Sequence, residues 1–154
     1  MTPEFPLISV YKDRGLNVFK DDSLFRKVTT YTLISQNPDE NNFYDRYGKR
    51  WTFRFINDKI KNDFKTRLLA NTIYNPMVSV DLDWKLNGSY DLSELKNAIF
   101  LCVDKDDDII TQFEEADIIK NAIRNCETFD DIVFALNKYV FEVDEQRLLK
   151  ERGN

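Results

Sequence analysis

The sequence predicts an α+β fold: an N-terminal antiparallel sheet with a helix inserted into it, followed by a C-terminal cluster of about three helices. Three observations lead there. Apolar residues alternate with polar ones at a period of two in 50–56 and again in 78–85, the signature of half-buried strands. Apolar residues recur at helical spacing in 57–75 and in three stretches after residue 91. No repeat and no Pro/Gly/Ser-rich linker divides the 154 residues, so strands first and helices later read as one domain spanning 1–154.

Taken in order, Leu7-Ile8-Ser9-Val10-Tyr11 reads as a short strand. Asp21-Asp22-Ser23 offers an N-cap for a brief helical turn around Leu24 and Phe25. Val28 to Ile34 is rich in β-branched residues and is expected to be extended. Gln36 to Asn42 has loop composition. A hairpin follows, with a turn over Arg46-Tyr47-Gly48-Lys49 that uses Gly48 at positive φ. On its second strand Trp51, Phe53 and Phe55 alternate with Arg50, Thr52 and Arg54, which sets aromatics on one face and cations on the other.

Asn57-Asp58 caps a helix expected to run to about Asn75, where Pro76 stops it. Val78, Val80, Leu82 and Trp84 alternate with Ser79, Asp81, Asp83 and Lys85 in a further strand. The apolar residues of both strands are expected to face inward, and Asn87-Gly88 to turn the chain. Asp91 to Glu94 opens the first C-terminal helix, with Leu95, Ala98, Ile99 and Cys102 on one face. The second spans about 113–125, with Ala116, Ile119 and Ile123 inward. Thr128-Phe129-Asp130-Asp131 resembles a capping box and opens the third, whose stripe is Ile132, Ala135, Leu136 and Tyr139. The charged tail, 144–154, is expected to fray.

Composition narrows the function. Hydrophobic residues make up 42% and aromatics 14%, too much for a disordered chain. The first residues lack a basic segment and a long apolar run, and no stretch reaches the roughly 18 apolar residues that span a bilayer. Cys102 and Cys126 have no CxxC spacing and no histidine partner, as suits two free thiols in a reducing compartment. A soluble cytoplasmic protein is therefore expected. Charge is uneven: residues 1–75 hold 13 Lys/Arg against 9 Asp/Glu, and residues 76–154 hold 9 against 18. An acidic half of this kind suits a basic partner, although acidity also serves solubility alone.

The chain has no histidine, which removes Ser-His-Asp and Cys-His catalysis, histidine acid–base chemistry and nearly all catalytic zinc sites. No GxGxxG, P-loop or GxSxG occurs. Carboxylates alone can hydrolyse glycosides, and Asp81 and Asp83 share a strand face, but alternating acids are also what an exposed face provides. Asp104, Asp106, Asp108 and Glu115 fall at positions 1, 3, 5 and 12 of a calcium-loop window. Ile109 stands where that loop needs glycine, and Thr111 where it needs an aliphatic residue. No metal, no cofactor and no enzymatic activity are expected.

The segment 104–117 carries seven acids, Asp104, Asp106, Asp107, Asp108, Glu114, Glu115 and Asp117, against the single base Lys105. Ile109, Ile110 and Phe113 interrupt them. Clustered carboxylates steer a basic partner, and apolar neighbours supply burial. The candidate partner-binding residues are these seven acids and Phe113, with Asp81, Asp83, Asp130 and Asp131 as secondary positions. A nucleic-acid surface needs the opposite charge, and the basic hairpin 46–54 is small and balanced by acids.

In Tyr44-Asp45-Arg46-Tyr47-Gly48-Lys49-Arg50-Trp51 and in Asp104 to Ala116, and in its small, acidic, histidine-free character, the chain resembles immunity proteins of bacterial toxin–immunity systems, including those of contact-dependent growth inhibition. The resemblance implies a protein that binds and neutralises a toxin domain, such as a nuclease, by occluding its basic cleft. From the charge and the lack of a long apolar run, no nucleic-acid or membrane partner is expected, and the resemblance carries over no particular binding residue. The alternatives are a calcium-responsive or scaffold-type adaptor and, third, a carboxylate-dependent hydrolase.

Overall fold

The β1 strand (Leu7–Tyr11) turns into β2 (Gly15–Phe19) through a tight turn in which Lys12 and Asp13 both take positive φ, 50° and 54°. Two consecutive left-handed residues twist the turn to match the flanking strands. The β2 strand is an addition to the elements expected; Leu16 and Val18 alternate with Gly15 and Asn17, a pattern too short to stand out before its pairing with β1 is known. The computed structural model describes residues 1–35, 41–56, 70, 75–142, 150 and 153. After β2 come α1 (Ser23–Arg26), β3 (Lys27–Thr29), α2 (Thr30–Ser35), β4 (Asn41–Tyr44), β5 (Lys49–Ile56), β6 (Met77–Ser79) and β7 (Asp81–Ser89). Then follow α3 (Leu92–Asp104), α4 (Ala116–Arg124), α5 (Phe129–Leu136) and a π-helical turn, Asn137–Phe141.

Among the described residues, five strands form an antiparallel sheet in the order β2-β1-β4-β5-β7, and β3 pairs with β6 in a separate ladder. An antiparallel sheet followed by helices is the α+β arrangement expected. Its two faces are filled differently. On one face Phe43, Trp51 and Phe53 join Phe19, Phe25 and Trp84; the Phe43 and Phe53 rings lie 5.3 and 5.0 Å from the Trp84 ring. Such ring pairs add about 0.5–1.5 kcal/mol each beyond the area they bury. On the other face Ile8, Val10 and Leu16 meet Leu95, Ile99 and Cys102 of α3, with Ile119, Ile123, Ile132 and Leu136 completing the cluster. The aromatic alternation of β5 and β7 thus faces inward as expected, with Val78, Val80, Leu82 and Trp84 half-buried and Asp81 and Asp83 exposed. Thr52, on the face that carries Arg50 and Arg54, is nonetheless buried.

Several local expectations need correction. Within 28–34 the extended conformation stops at Thr29, and α2 follows. Here tertiary bonds override β propensity: Thr30 donates its N–H to Pro76 O at 2.9 Å, Tyr31 N to Asn75 Oδ1 at 2.8 Å, and Thr32 N to Thr29 Oγ1 at 3.1 Å. These supply the first turn with acceptors, and Leu33 and Ile34 become buried. Asn41 and Asn42 belong to β4, not to a loop, because they pair with Tyr11 and Val10. The alternating stretch 78–85 divides at Val80 between two ladders. Asn87-Gly88 is a β-bulge inside β7, not a turn: Trp51 pairs with Leu86 and Lys49 with Ser89, so two residues face Arg50. Gly88 takes φ 108° there, and Arg50 donates to Asn87 O at 3.2–3.3 Å. The second C-terminal helix begins at Ala116, not near 113. The helix expected over 57–75 falls outside the described residues except for Ala70, which is helical, and Asn75, which is not. The tail 144–154 likewise lies outside them, apart from Lys150 and Gly153.

A candidate protein-binding surface

Helix α3 is entered through a capping box: Glu94 N donates to Asp91 Oδ1 and Asp91 N to Glu94 Oε2, both at 2.8 Å. Its far end delivers the acidic segment beside the β1–β2 turn, where Lys105 Nζ lies 3.9 Å from Asp13 and the Cys102 thiol faces Gly15 O. The residues between α3 and α4 form a loop organised by one side chain. Asp106 accepts from Ile109 N at 3.1 Å, Ile110 N at 2.9 Å, Thr111 N at 2.9 Å and Thr111 Oγ1 at 3.0 Å. Partial burial alone would raise its pKa, but these donors outweigh it and hold the carboxyl below its ordinary 3.8. Ile110 is drawn into the core, and Asp108 takes φ 64°.

What this leaves outside is Asp107, Asp108 and the neighbouring Ile109, which is 75% exposed. Asp104, Glu115 and Asp117 are also exposed, with Asp104 paired to Lys120. Three residues of the expected surface are drawn away from it. Glu114 is only 8% exposed, and its Oε1 accepts from Glu115 N at 3.1 Å. Asp106 is spent on the loop it holds, and Phe113 is half-buried. Two carboxylates of the calcium pattern serve other ends here: Asp106 binds backbone and Asp104 binds Lys120, while Glu115 occupies the N-cap position of α4 without a side-chain cap bond.

The secondary positions are not brought to this loop. Asp131 completes the capping box of α5, accepting from Thr128 N at 2.9 Å and Glu127 N at 3.1 Å. These donors, Glu127 N first, lower its pKa. Asp130 pairs with Arg46 of the hairpin turn at 3.3 Å. The hairpin turn also meets the start of α3, where Tyr90 N donates to Gly48 O, so Asp130 lies toward that end. The 13 residues of α3 separate it from the acidic loop by about 20 Å. Asp81 and Asp83 project from β7, Asp81 toward Arg26 at 3.3 Å and Asp83 in register with Arg54. The hairpin cations are dispersed as well, Arg46 to Asp130 and Arg50 to the β7 bulge.

Two features lie beyond what the sequence reading found. Asp45, 1% exposed, anchors the β4–β5 hairpin: it accepts from Trp51 Nε1 at 2.8 Å, Tyr47 N at 2.9 Å and Lys49 N at 3.0 Å, while Tyr90 Oη donates to its carbonyl. An Asp before a turn closed by glycine is the signal for it. The second is an open cleft of about 410 Å³ beside α4, α5 and the π-helical turn, lined by Cys126, Glu127, Phe134, Lys138 and Tyr139 among others. Phe134 is 70% exposed and lies off the Ile132–Ala135–Leu136 stripe, which is how the sequence marks it as outward-facing. Among the described residues no helix is long and apolar enough to cross a membrane. Comparison of the chain with protein families, with curated proteins and with solved structures found no match.

Proposed function

We propose that this chain is an inhibitory binding protein of the toxin–immunity kind, which acts by occluding the basic cleft of a partner protein and catalyses nothing itself. The observation that carries this proposal is the 106–111 loop. Asp106 fixes its backbone through three N–H bonds and a fourth bond from the Thr111 hydroxyl, so Asp107, Asp108 and the exposed Ile109 are presented without the ordering cost of a mobile loop. Carboxylates around an apolar anchor combine steering with burial. Against a nuclease, Asp107 and Asp108 would stand where substrate phosphates stand, with Asp104, Glu115 and Asp117 extending the negative field. The two free thiols, Cys102 and Cys126, suit the cytoplasmic setting in which such an inhibitor works.

The test is to immobilise the chain, capture its partner from the source cells, identify it, and assay its activity with and without the chain. A captured toxin domain that loses activity on binding, and binds the Asp107→Asn/Asp108→Asn variant more slowly with weaker salt dependence, supports the proposal. Equal binding by that variant and by Ile109→Ala removes this loop as the contact. Recovery of nucleic acid in place of a protein overturns the proposal.

A further inference from the structure

The β7 strand ends the five-stranded sheet, and among the described residues its one strand neighbour is β5. A free edge offers a row of N–H and C=O groups to another strand, and natural edges are usually interrupted or charged against this. On β7 the regular stretch is bounded on both sides. At one end Val80 N donates to Arg26 O, where the chain passes to the β3–β6 ladder. At the other end the Asn87-Gly88 bulge, with Gly88 at φ 108°, breaks the ladder. Between these limits lie Asp81, which Arg26 holds, and then Leu82, Asp83, Trp84, Lys85 and Leu86, five residues with Trp84 at their centre.

This stretch is complementary to itself. If two copies join edge to edge with their aromatic faces on the same side of a continuous sheet, a twofold axis normal to the sheet must pass through a residue, because successive side chains alternate faces. An axis at Asp83 opposes Asp83 to itself and offers Lys85 only Asp81, which Arg26 already holds at 3.3 Å, and one at Lys85 opposes Lys85 to itself. An axis at Leu82 opposes Asp81 to Asp83 twice. An axis at Trp84 sets Asp83 across from Lys85 twice, on the face shared with Arg54 and Thr52. On the other face it lays Trp84 against Trp84 and covers each Leu86, 41% exposed in the single chain, with a Leu82. Opposite charges and apolar residues directly across antiparallel strands stabilise the pairing, and like charges oppose it.

We propose that β7 is a self-association edge, through which two copies of this chain pair antiparallel about Trp84. The β1 and β2 strands, beside which the 106–111 loop stands, lie on the far side of β4 and β5 from this edge, so the dimer leaves both loops accessible. The proposal is independent of what that loop binds. Pairing over five residues makes a weak, concentration-dependent dimer.

Sedimentation over a micromolar-to-millimolar range tests this. The unaltered chain is expected to shift from its 18.3 kDa monomer to twice that mass as concentration rises. Asp83→Lys and Lys85→Asp each oppose like charges twice and are expected to stay monomeric. The double exchange restores the pairs and the dimer. An equimolar mixture of the two single variants leaves each chain with one sign of charge and gives a mixed dimer that neither forms alone. Circular dichroism confirms that each variant is folded. In the unaltered chain, amide exchange across 82–86 is expected to slow with concentration, a readout that needs no variant. A chain that stays monomeric throughout with concentration-independent exchange, or single variants that dimerise like the unaltered chain, overturns the proposal.

Discussion

Replacing Asp45 with alanine leaves three N–H donors without their acceptor. The Trp51 indole is the costly one, because Trp51 is only 1% exposed and its N–H is shut away from water. A buried donor left unpaired costs about 1–3 kcal/mol. Tyr47 N and Lys49 N belong to less buried residues of the turn and can bond water instead, so each loses about 0.5 kcal/mol. The sum is about 3 kcal/mol, a large part of the roughly 5–15 kcal/mol that holds an ordinary domain together. With a urea dependence of about 2 kcal/mol per molar, the unfolding midpoint falls by about 1.5 M. Asp45→Asn keeps the shape but only one acceptor oxygen, and should lose about half as much. Urea titration followed by tryptophan emission measures both, and a cycle with Trp51→Phe isolates the indole bond: in that background Asp45→Ala should cost about 1–2 kcal/mol less. If Asp45→Ala lowers the midpoint no more than Asp117→Ala, a change at an exposed acid, the carboxylate does not anchor the hairpin.

Other consequences are equally direct. Because the Asp106 carboxyl is held below its ordinary 3.8, its contribution is present above about pH 4 and is lost as pH falls through the lower folded value; the Thr111 amide resonance should move in that acid range and be insensitive to pH above it. Phe53→Ala, which empties the centre of the aromatic face, should cost about 3–5 kcal/mol in urea unfolding, and Leu82→Ala, half-buried, about 2 kcal/mol. An unmoved midpoint in Leu82→Ala would mean that Asp81 and Asp83 do not lie on the outer face. Burial pushes the Cys102 thiol up to about 11 and also raises that of Cys126, which is only half-buried. An alkylating reagent near pH ~8 should therefore label Cys126 first and Cys102 only on unfolding. Equal labelling rates in the folded protein would contradict the packing of α3 against Gly15.

Periodicity and capping chemistry are local, and where a signal is local the sequence carries it. The Asp91–Glu94 and Thr128–Asp131 boxes, the inward stripes Leu95–Ile99–Cys102 and Ile132–Ala135–Leu136, and the Trp51–Phe53–Phe55 face all follow from neighbours a few residues apart. What depends on distant partners is not legible. Thr30 to Ser35 is helical because Pro76 O and Asn75 Oδ1 receive its first N–H groups, against its own β propensity. Gly88 is recognisable as a residue suited to positive φ, but whether that makes a turn or a bulge depends on Arg50 across the ladder. The acidic segment shows the same division. Its composition marks 104–117 as a charged surface, yet a run of carboxylates does not say which of them faces water. The fold decides that: Asp106 turns inward to meet three N–H groups, Glu114 is buried, Asp130 is carried to the hairpin turn, and Asp107, Asp108 and Ile109 are left outermost. Local patterns specify which elements form, because their causes act within a few residues. The exposure of a given side chain is a property of the packed layers around it, and only the tertiary structure sets those.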